Sequence, residues 1–234
     1  MSYPENPQTV ILKNKYYTRG LTELDVWNYY QSVKPKLLKE VSNRDLMVVL
    51  MTDLNKPIIR RKFDKGSYIK LTPENYDNII SGRTLSIHSS MGSYEDFSII
   101  DVDLHESDGF RWAIDATKNV YNYVIDKIPI IQKATIRFTG KTSFHIVCYY
   151  GRKLKTDSSK FLLTKFLRES PLSKVYTINE KKAMLGVPNL DLNRNCLRCN
   201  YITLHSLSMT GLRCMEVPFN HLLSFTPMEA FIKK

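Results

Sequence analysis

The segment FSIIDVDL (97–104) constrains this chain more than any other. Ile99, Ile100, Val102 and Leu104 describe a strand with little exposure, yet Asp101 and Asp103 interrupt it at a spacing of two. Residues two apart on a strand point to one face, so the carboxylates project side by side with Cβ atoms about 6–7 Å apart. Two carboxylates at the end of a buried strand repel strongly unless a cation offsets them, and this spacing suits a pair of divalent ions. A solvated strand end running into the polar loop that starts at His105 would give the same pattern. Under either reading the segment is a strand. The polar break leads into a helical pattern from about Phe110 to Asp126, with Ala113, Val120, Val124 and Ile125 among its apolar positions.

This strand, loop and helix are followed by ATIRF (134–138) and FHIVCYY (144–150), which read as a hairpin with Gly140 in its turn. Asp157 and Ser158 open another helix, carrying Phe161, Leu162, Phe166 and Leu167. VPNLDL (187–192) and NYITLHSL (200–207) read as strands, and a short helix closes the chain at about Met228 to Ile232. Upstream, Thr22 and Asp25 form a capping box for a helix through Val33 that Pro35 should interrupt. Leu46 to Met51 is a buried strand. Lys56 to Lys62, Tyr68 to Leu71 and Arg83 to His88 look like further strands, and Thr72 with Pro73 starts a short helix. Residues 1–20 carry Pro4, Pro7, Lys13, Lys15, Arg19 and Gly20 without periodicity and read as an irregular basic arm. The expectation is one α+β domain over 21–234, with an amino-terminal α/β flank.

With 43% apolar and 24% charged residues in 234, the chain has the balance of a globular protein, which excludes long disorder and fibrous structure. Its 34 Lys and Arg against 23 Asp and Glu leave +11, so a polyanion is the first partner to consider. No stretch approaches the roughly 20 apolar residues that span a bilayer. The start MSYPENPQTV lacks the basic-then-apolar order of a secretory signal. A soluble intracellular protein is expected, in cytoplasm or nucleoid, or in the nucleus for a eukaryotic or viral chain, with no membrane partner. Four cysteines (Cys148, Cys196, Cys199, Cys214) are too few for a disulfide scaffold and are expected to be reduced. A zinc site can be written from Cys196, Cys199, His205 and Cys214. The spacing is irregular and His205 falls in an expected strand, so buried or incidental thiols are the better reading.

Asp191, within the apolar NLDL, is a third carboxylate with little reason to stand alone in a strand, unless it marks a strand-end turn. Three carboxylates on one sheet suit phosphoryl transfer through two Mg²⁺ or Mn²⁺ ions, and nucleases use the same inventory. TGKTSFHI (139–146) gathers Thr139, Lys141, Thr142 and Ser143 in a turn, then places Ser143 and His145 on one strand face opposite Phe144 and Ile146. Hydroxyls, a lysine, backbone N–H groups and an imidazole there suit a triphosphate, although a solvated hairpin would look similar. It is not a Walker loop, because GKT lacks the upstream glycine and enters a strand. The arm residues Lys13, Lys15 and Arg19 and the run Arg60, Arg61, Lys62, Phe63 suit phosphate contacts, with a ring that could stack on a base. Solvated loop charges are the alternative.

The order IIDVD, then SFH, then NLD resembles the three motifs of the archaeo-eukaryotic primase (PrimPol) superfamily. Within it the chain looks most like the polymerase domain of bacterial DNA ligase D and its stand-alone relatives. RGLTELDVWNYYQSV resembles that family's first helix, TLSIHS its histidine strand, TGKTSFH its serine-glycine-x-lysine turn, and LDLNRN, with Asn195 four after Asp191, its third motif. The resemblance covers most of 18–230 and implies an RRM-like catalytic sheet and template-directed addition of NTPs or dNTPs to a 3′-hydroxyl. It makes Asp101, Asp103 and Asp191 the metal ligands. Thr139, Ser143 and His145 become nucleotide contacts, Lys141 lies in the same turn, and His88 approaches the triphosphate. Ser206 matches the family's serine near the last strand, but the basic residue expected two further on is Ser208, which leaves Arg213 or Arg198 to supply that contact. The implied partners are DNA (primed, gapped or broken ends), nucleotides, and repair or replication proteins. The other functional class is a catalytically silent primase-like module that only binds nucleic acid.

Overall fold

Thr22 begins the first helix by the mechanism its spacing predicts. Its Oγ1 accepts the Asp25 N–H at 3.2 Å while the Asp25 carboxylate accepts the Thr22 N–H at 3.0 Å, which satisfies two donors the helix leaves open. The computed structural model describes residues 4, 6–52, 56–63, 66–105, 107–180 and 183–232. In chain order its elements are β1 (Val10–Leu12), β2 (Leu21–Thr22), α1 (Glu23–Glu40), β3 (Leu46–Met51), β4 (Pro57–Arg60), α2 (Tyr76–Ile79) and β5 (Thr84–Ser90). Then follow β6 (Tyr94–Asp103), α3 (Phe110–Lys127), β7 (Lys133–Phe138), β8 (Phe144–Lys155), α4 (Thr156–Arg168), β9 (Thr177–Ile178), β10 (Asn189–Asp191), β11 (Asn200–Ile202) and β12 (Met215–Glu216). They form two compact units, one from Met1–Ser90, Asn200–Met215 and Thr226–Lys234, the other from Met91–Cys199 and Glu216–Phe225.

In the first unit a four-stranded sheet runs β11-β5-β3-β4. Leu46 and Val48 on β3 and Leu85 and Ile87 on β5 are buried, as are Val26, Tyr30 and Leu37 of α1. The Tyr30 hydroxyl donates to the Leu85 carbonyl at 3.4 Å and accepts the Leu207 N–H at 3.2 Å, so a buried ring keeps its polar end paired. Helix α1 does not stop at Pro35 but continues to Glu40. Pro35 lies on the exposed side, where water can take the carbonyl it frees, and buried Leu37 anchors the last turn. The arm is not wholly irregular, since Val10–Leu12 pairs with Leu21–Thr22. Among the described residues, Tyr68–Leu71 makes only single bridges, from Ile69 to Leu46 and from Tyr68 to Lys62. The helix after Pro73 is one turn, starting at Tyr76. His205 stands in a turn at φ 67° and not in a strand.

Apart from the two-residue edge strands β9 and β12, the second unit has the order β6-α3-β7-β8-α4-β10, and its six-stranded sheet runs β12-β7-β8-β6-β10-β9. That is the split β-α-β-β-α-β arrangement, with β6 and β8 side by side in the centre, in agreement with an RRM-like sheet. The alternation of β6 decides its two faces. Ile100 and Val102 join Ile146, Leu190, Val120, Val124, Leu163 and Leu167 in the core under α3 and α4, which turns Asp101 and Asp103 to the opposite face. Phe110, Phe138, Phe144 and Phe225 close one end of this core, with ring centroids 5.2–6.2 Å apart. Cys196 and Cys199 are joined in a disulfide, which corrects the expectation of four reduced thiols. A turn in which the Cys199 N–H donates to the Cys196 carbonyl at 3.0 Å brings their Cα atoms to 5.4 Å. Cys148 and Cys214 are buried thiols. Among the described residues no helix is long and apolar enough to cross a membrane.

Candidate active site

Strand register assembles the site. Asp101 lies directly across from Asp191 on β10 and from His145 on β8, and His145 in turn faces Arg137 on β7. Directly opposed residues share a face, so Asp191, Asp101, His145 and Arg137 form one row across four strands, each about 4.8 Å from the next. Asp103, two residues on from Asp101, is opposite Asn189 on the same face. The second unit therefore brings all three predicted aspartates together with the predicted histidine.

The row is mostly withdrawn from water. Asp101 and His145 are each 3% exposed. His145 Nε2 lies 3.4 Å and Arg194 Nε 3.6 Å from Oδ2 of Asp101. Burial opposes ionisation of Asp101, but the facing His145 and Arg194 outweigh it and hold its carboxyl below the usual range. Asp103 goes the other way. Burial, and then the charges of Asp101 and Asp191, push its carboxyl up to about 7, against a weaker pull from Arg194. Among the described residues, no three His, Cys, Asp or Glu side chains converge closely enough to hold a metal ion as they stand. The donor set nonetheless fits one. Asp101 Oδ1 and His145 Nδ1 are buried without a hydrogen-bond partner, and burial together with the charges of Asp101 and Asp191 disfavours ionisation of Asp103, a penalty that a cation would offset.

The loop after β10 is clamped to β6. The Asn195 side chain accepts the Ile99 N–H at 2.7 Å and donates to the Ile99 carbonyl at 2.6 Å, and the Asn193 N–H donates to the Asp191 carboxylate at 2.7 Å. Between these anchors Arg194 reaches Asp101. Arg194 was not foreseen from sequence. Its place three residues after Asp191, the sole basic side chain of LDLNRN, was the available signal.

The turn at 139–143 is built from its own hydroxyls. Thr139 Oγ1 lies 2.8 Å from Ser143 Oγ and donates to the Ser143 carbonyl at 2.9 Å, while Gly140 takes φ 89°, which a residue with a Cβ rarely adopts. Thr139 is buried and Lys141 is exposed at the tip. Of the other predicted contacts, Arg198 belongs to the second unit and the rest to the first. His88 Nε2 lies 3.0 Å from Ser86 Oγ on β5. Ser206 is fully buried, its hydroxyl accepting the Ile87 N–H at 2.7 Å and donating to the Leu207 carbonyl at 2.8 Å, so it serves the backbone. Arg213 donates to the Glu229 carbonyl at 2.8 Å. Lys13, Lys15 and Arg19 are exposed, as are Arg61, Lys62 and Phe63 beyond the exposed strand β4. Lys15 lies over the Tyr16 ring and Lys62 over Tyr68.

No family model and no curated protein matches this sequence. Among solved structures, the chain is similar to the polymerase domain of ligase D from Mycobacterium tuberculosis, which was solved in complex with DNA. The TM-score is 0.72 at 12% sequence identity, over 92% of this chain and 87% of that one. The resemblance read from IIDVD, SFH and NLD is thus matched by the fold: the chain has the α+β architecture of the polymerase domain of a bacterial ligase D.

Proposed function

We propose that the chain is a template-directed nucleotidyltransferase that adds NTPs or dNTPs to a 3′-hydroxyl on DNA, in end joining, gap repair or primer synthesis. The observation that carries this reading is the row on β10, β6 and β8, where Asp191, Asp101 and His145 stand in register with Asp103 beside them. Asp101, Asp103 and Asp191 would hold two Mg²⁺ or Mn²⁺ ions, which supply positive charge to activate the attacking hydroxyl and steady the leaving pyrophosphate. His145 keeps one Asp101 oxygen oriented and leaves the other buried and unpaired. In the neighbouring turn, Lys141 and the Ser143 hydroxyl would contact phosphate oxygens, with Gly140 at φ 89° allowing close backbone approach. The exposed cations at 13–19 and 60–62 suit DNA phosphates. The structurally similar polymerase domain was solved on DNA, which supports DNA as the partner.

The test is incubation of the chain with labelled NTPs and dNTPs, Mg²⁺ or Mn²⁺, and primed, gapped and unprimed templates. The wild type should extend primers, and Asp101→Ala should lose extension by at least about 100-fold while DNA binding survives. Product from unprimed template would mark primer synthesis, and extension alone would mark repair. Undiminished extension by Asp101→Ala would refute the assignment.

A further inference from the structure

We propose that Arg194 is a resident counter-ion of the carboxylate site, which a divalent metal must displace, so that it sets how tightly the site takes metal before nucleotide arrives. This rests on the metal reading of Asp101, Asp103 and Asp191 and adds a residue that opposes it. Arg194 Nε is 3.6 Å from Asp101 Oδ2, and the two side chains differ sharply in exposure, 45% against 4%. Its charge acts on Asp103 as well.

The placement is built by the fold. Asp191 on one side and the Asn195 clamp to Ile99 on the other pin the short loop over β6, so Arg194 projects at Asp101. A guanidinium there offsets the mutual repulsion of the carboxylates, as a divalent ion would. A metal on Oδ1, the oxygen left unpaired, would lie only a few ångströms from a guanidinium held at Oδ2 of the same carboxylate, and like charges at that range repel strongly at a partly buried site. With nearly half its side chain exposed, Arg194 can swing outward and give its donors to water, which makes displacement far cheaper than for a buried arginine. Metal affinity is then reduced by the fraction of molecules in which Arg194 covers Asp101, and removal of the charge restores it.

The experiment is Mn²⁺ titration of the full chain, without nucleotide or DNA, followed by calorimetry and by the loss of free Mn²⁺ signal in electron paramagnetic resonance. Arg194→Gln should bind about tenfold more tightly than the wild type, and Arg194→Lys, which keeps the charge, should stay near the wild type. Asp101→Asn should abolish the tight site in either background. Melting curves give a second readout. In EDTA Arg194→Gln should melt below the wild type, having lost its counter-ion, and Mn²⁺ should raise its melting temperature by more. If the wild type binds Mn²⁺ through Asp101 and Arg194→Gln binds no more tightly, the counter-ion role is overturned while the metal reading stands. If neither protein binds Mn²⁺ in an Asp101-dependent way, the metal reading fails and this inference with it.

Discussion

Replacing Asp103 with Asn should stabilise the metal-free protein at pH 8, although it deletes a residue proposed as a metal ligand. Burial and the charges of Asp101 and Asp191 raise the Asp103 carboxyl from 3.8 to about 7. A group whose folded value lies above its unfolded one binds protons more tightly when folded, so its stabilising contribution is complete below about pH 4 and is lost as the pH climbs through 7. A rise of about three pH units corresponds to roughly 4 kcal/mol at about 1.4 kcal/mol each, and solvent at the partly open side chain reduces this to on the order of 2–3 kcal/mol. Asn keeps the shape without the charge. In EDTA at pH 8, Asp103→Asn should therefore melt above the wild type by about 5–10 °C, using about 2–4 °C per kcal/mol for a chain of this size. The gap should close progressively towards pH 4. Mn²⁺ should raise the wild type and do little for the variant. An Asp103→Asn protein that melts at or below the wild type in EDTA at pH 8 would show that the carboxylates are not crowded as described.

Other perturbations separate the site from its scaffold. Asn195→Ala removes three buried side-chain hydrogen bonds, two to Ile99 and one to the Leu192 carbonyl, and should cost about 2–4 kcal/mol in urea unfolding. Phe225→Ala opens the aromatic cluster formed with Phe110, Phe138 and Phe144 and should cost about 3–5 kcal/mol by the same measurement. Lys141→Ala, at an exposed turn tip, should leave the melting temperature unchanged and raise the nucleotide KM more than it lowers kcat. Changing Arg60, Arg61 and Lys62 together to Gln should flatten the salt dependence of DNA binding by about 2–3 in the log–log slope, and an unchanged slope would remove that run from the DNA contact.

Much of this arrangement was legible in the chain. Alternation in IIDVD put both carboxylates on one face and the isoleucine and valine on the other, because a strand has a period of two whatever surrounds it. The same rule set His145 and Ser143 opposite Phe144. The Thr22–Asp25 box was legible because a cap acts over three residues. Pro35 misled, since whether a helix survives a proline depends on which side of it meets water and on what anchors the turn beyond, here Leu37. The cysteine pair misled in a similar way: composition argues from averages, whereas the turn at Cys196 and Cys199 is a local geometry.

By itself, then, the sequence determined the inventory, three acids, a histidine and a hydroxyl-lysine turn, and part of its facing, since short-range periodicity put Asp101 with Asp103 and Ser143 with His145. Only the tertiary structure decided who stands beside whom. Asp191 meets Asp101 through the register of β10 against β6, and Asn195 grips Ile99 across a separation of 96 residues. That clamp delivers Arg194 to the carboxylates. Such pairings are selected by the burial of Ile100, Val102, Ile146 and Leu190 on the opposite face, a long-range condition that no local pattern encodes.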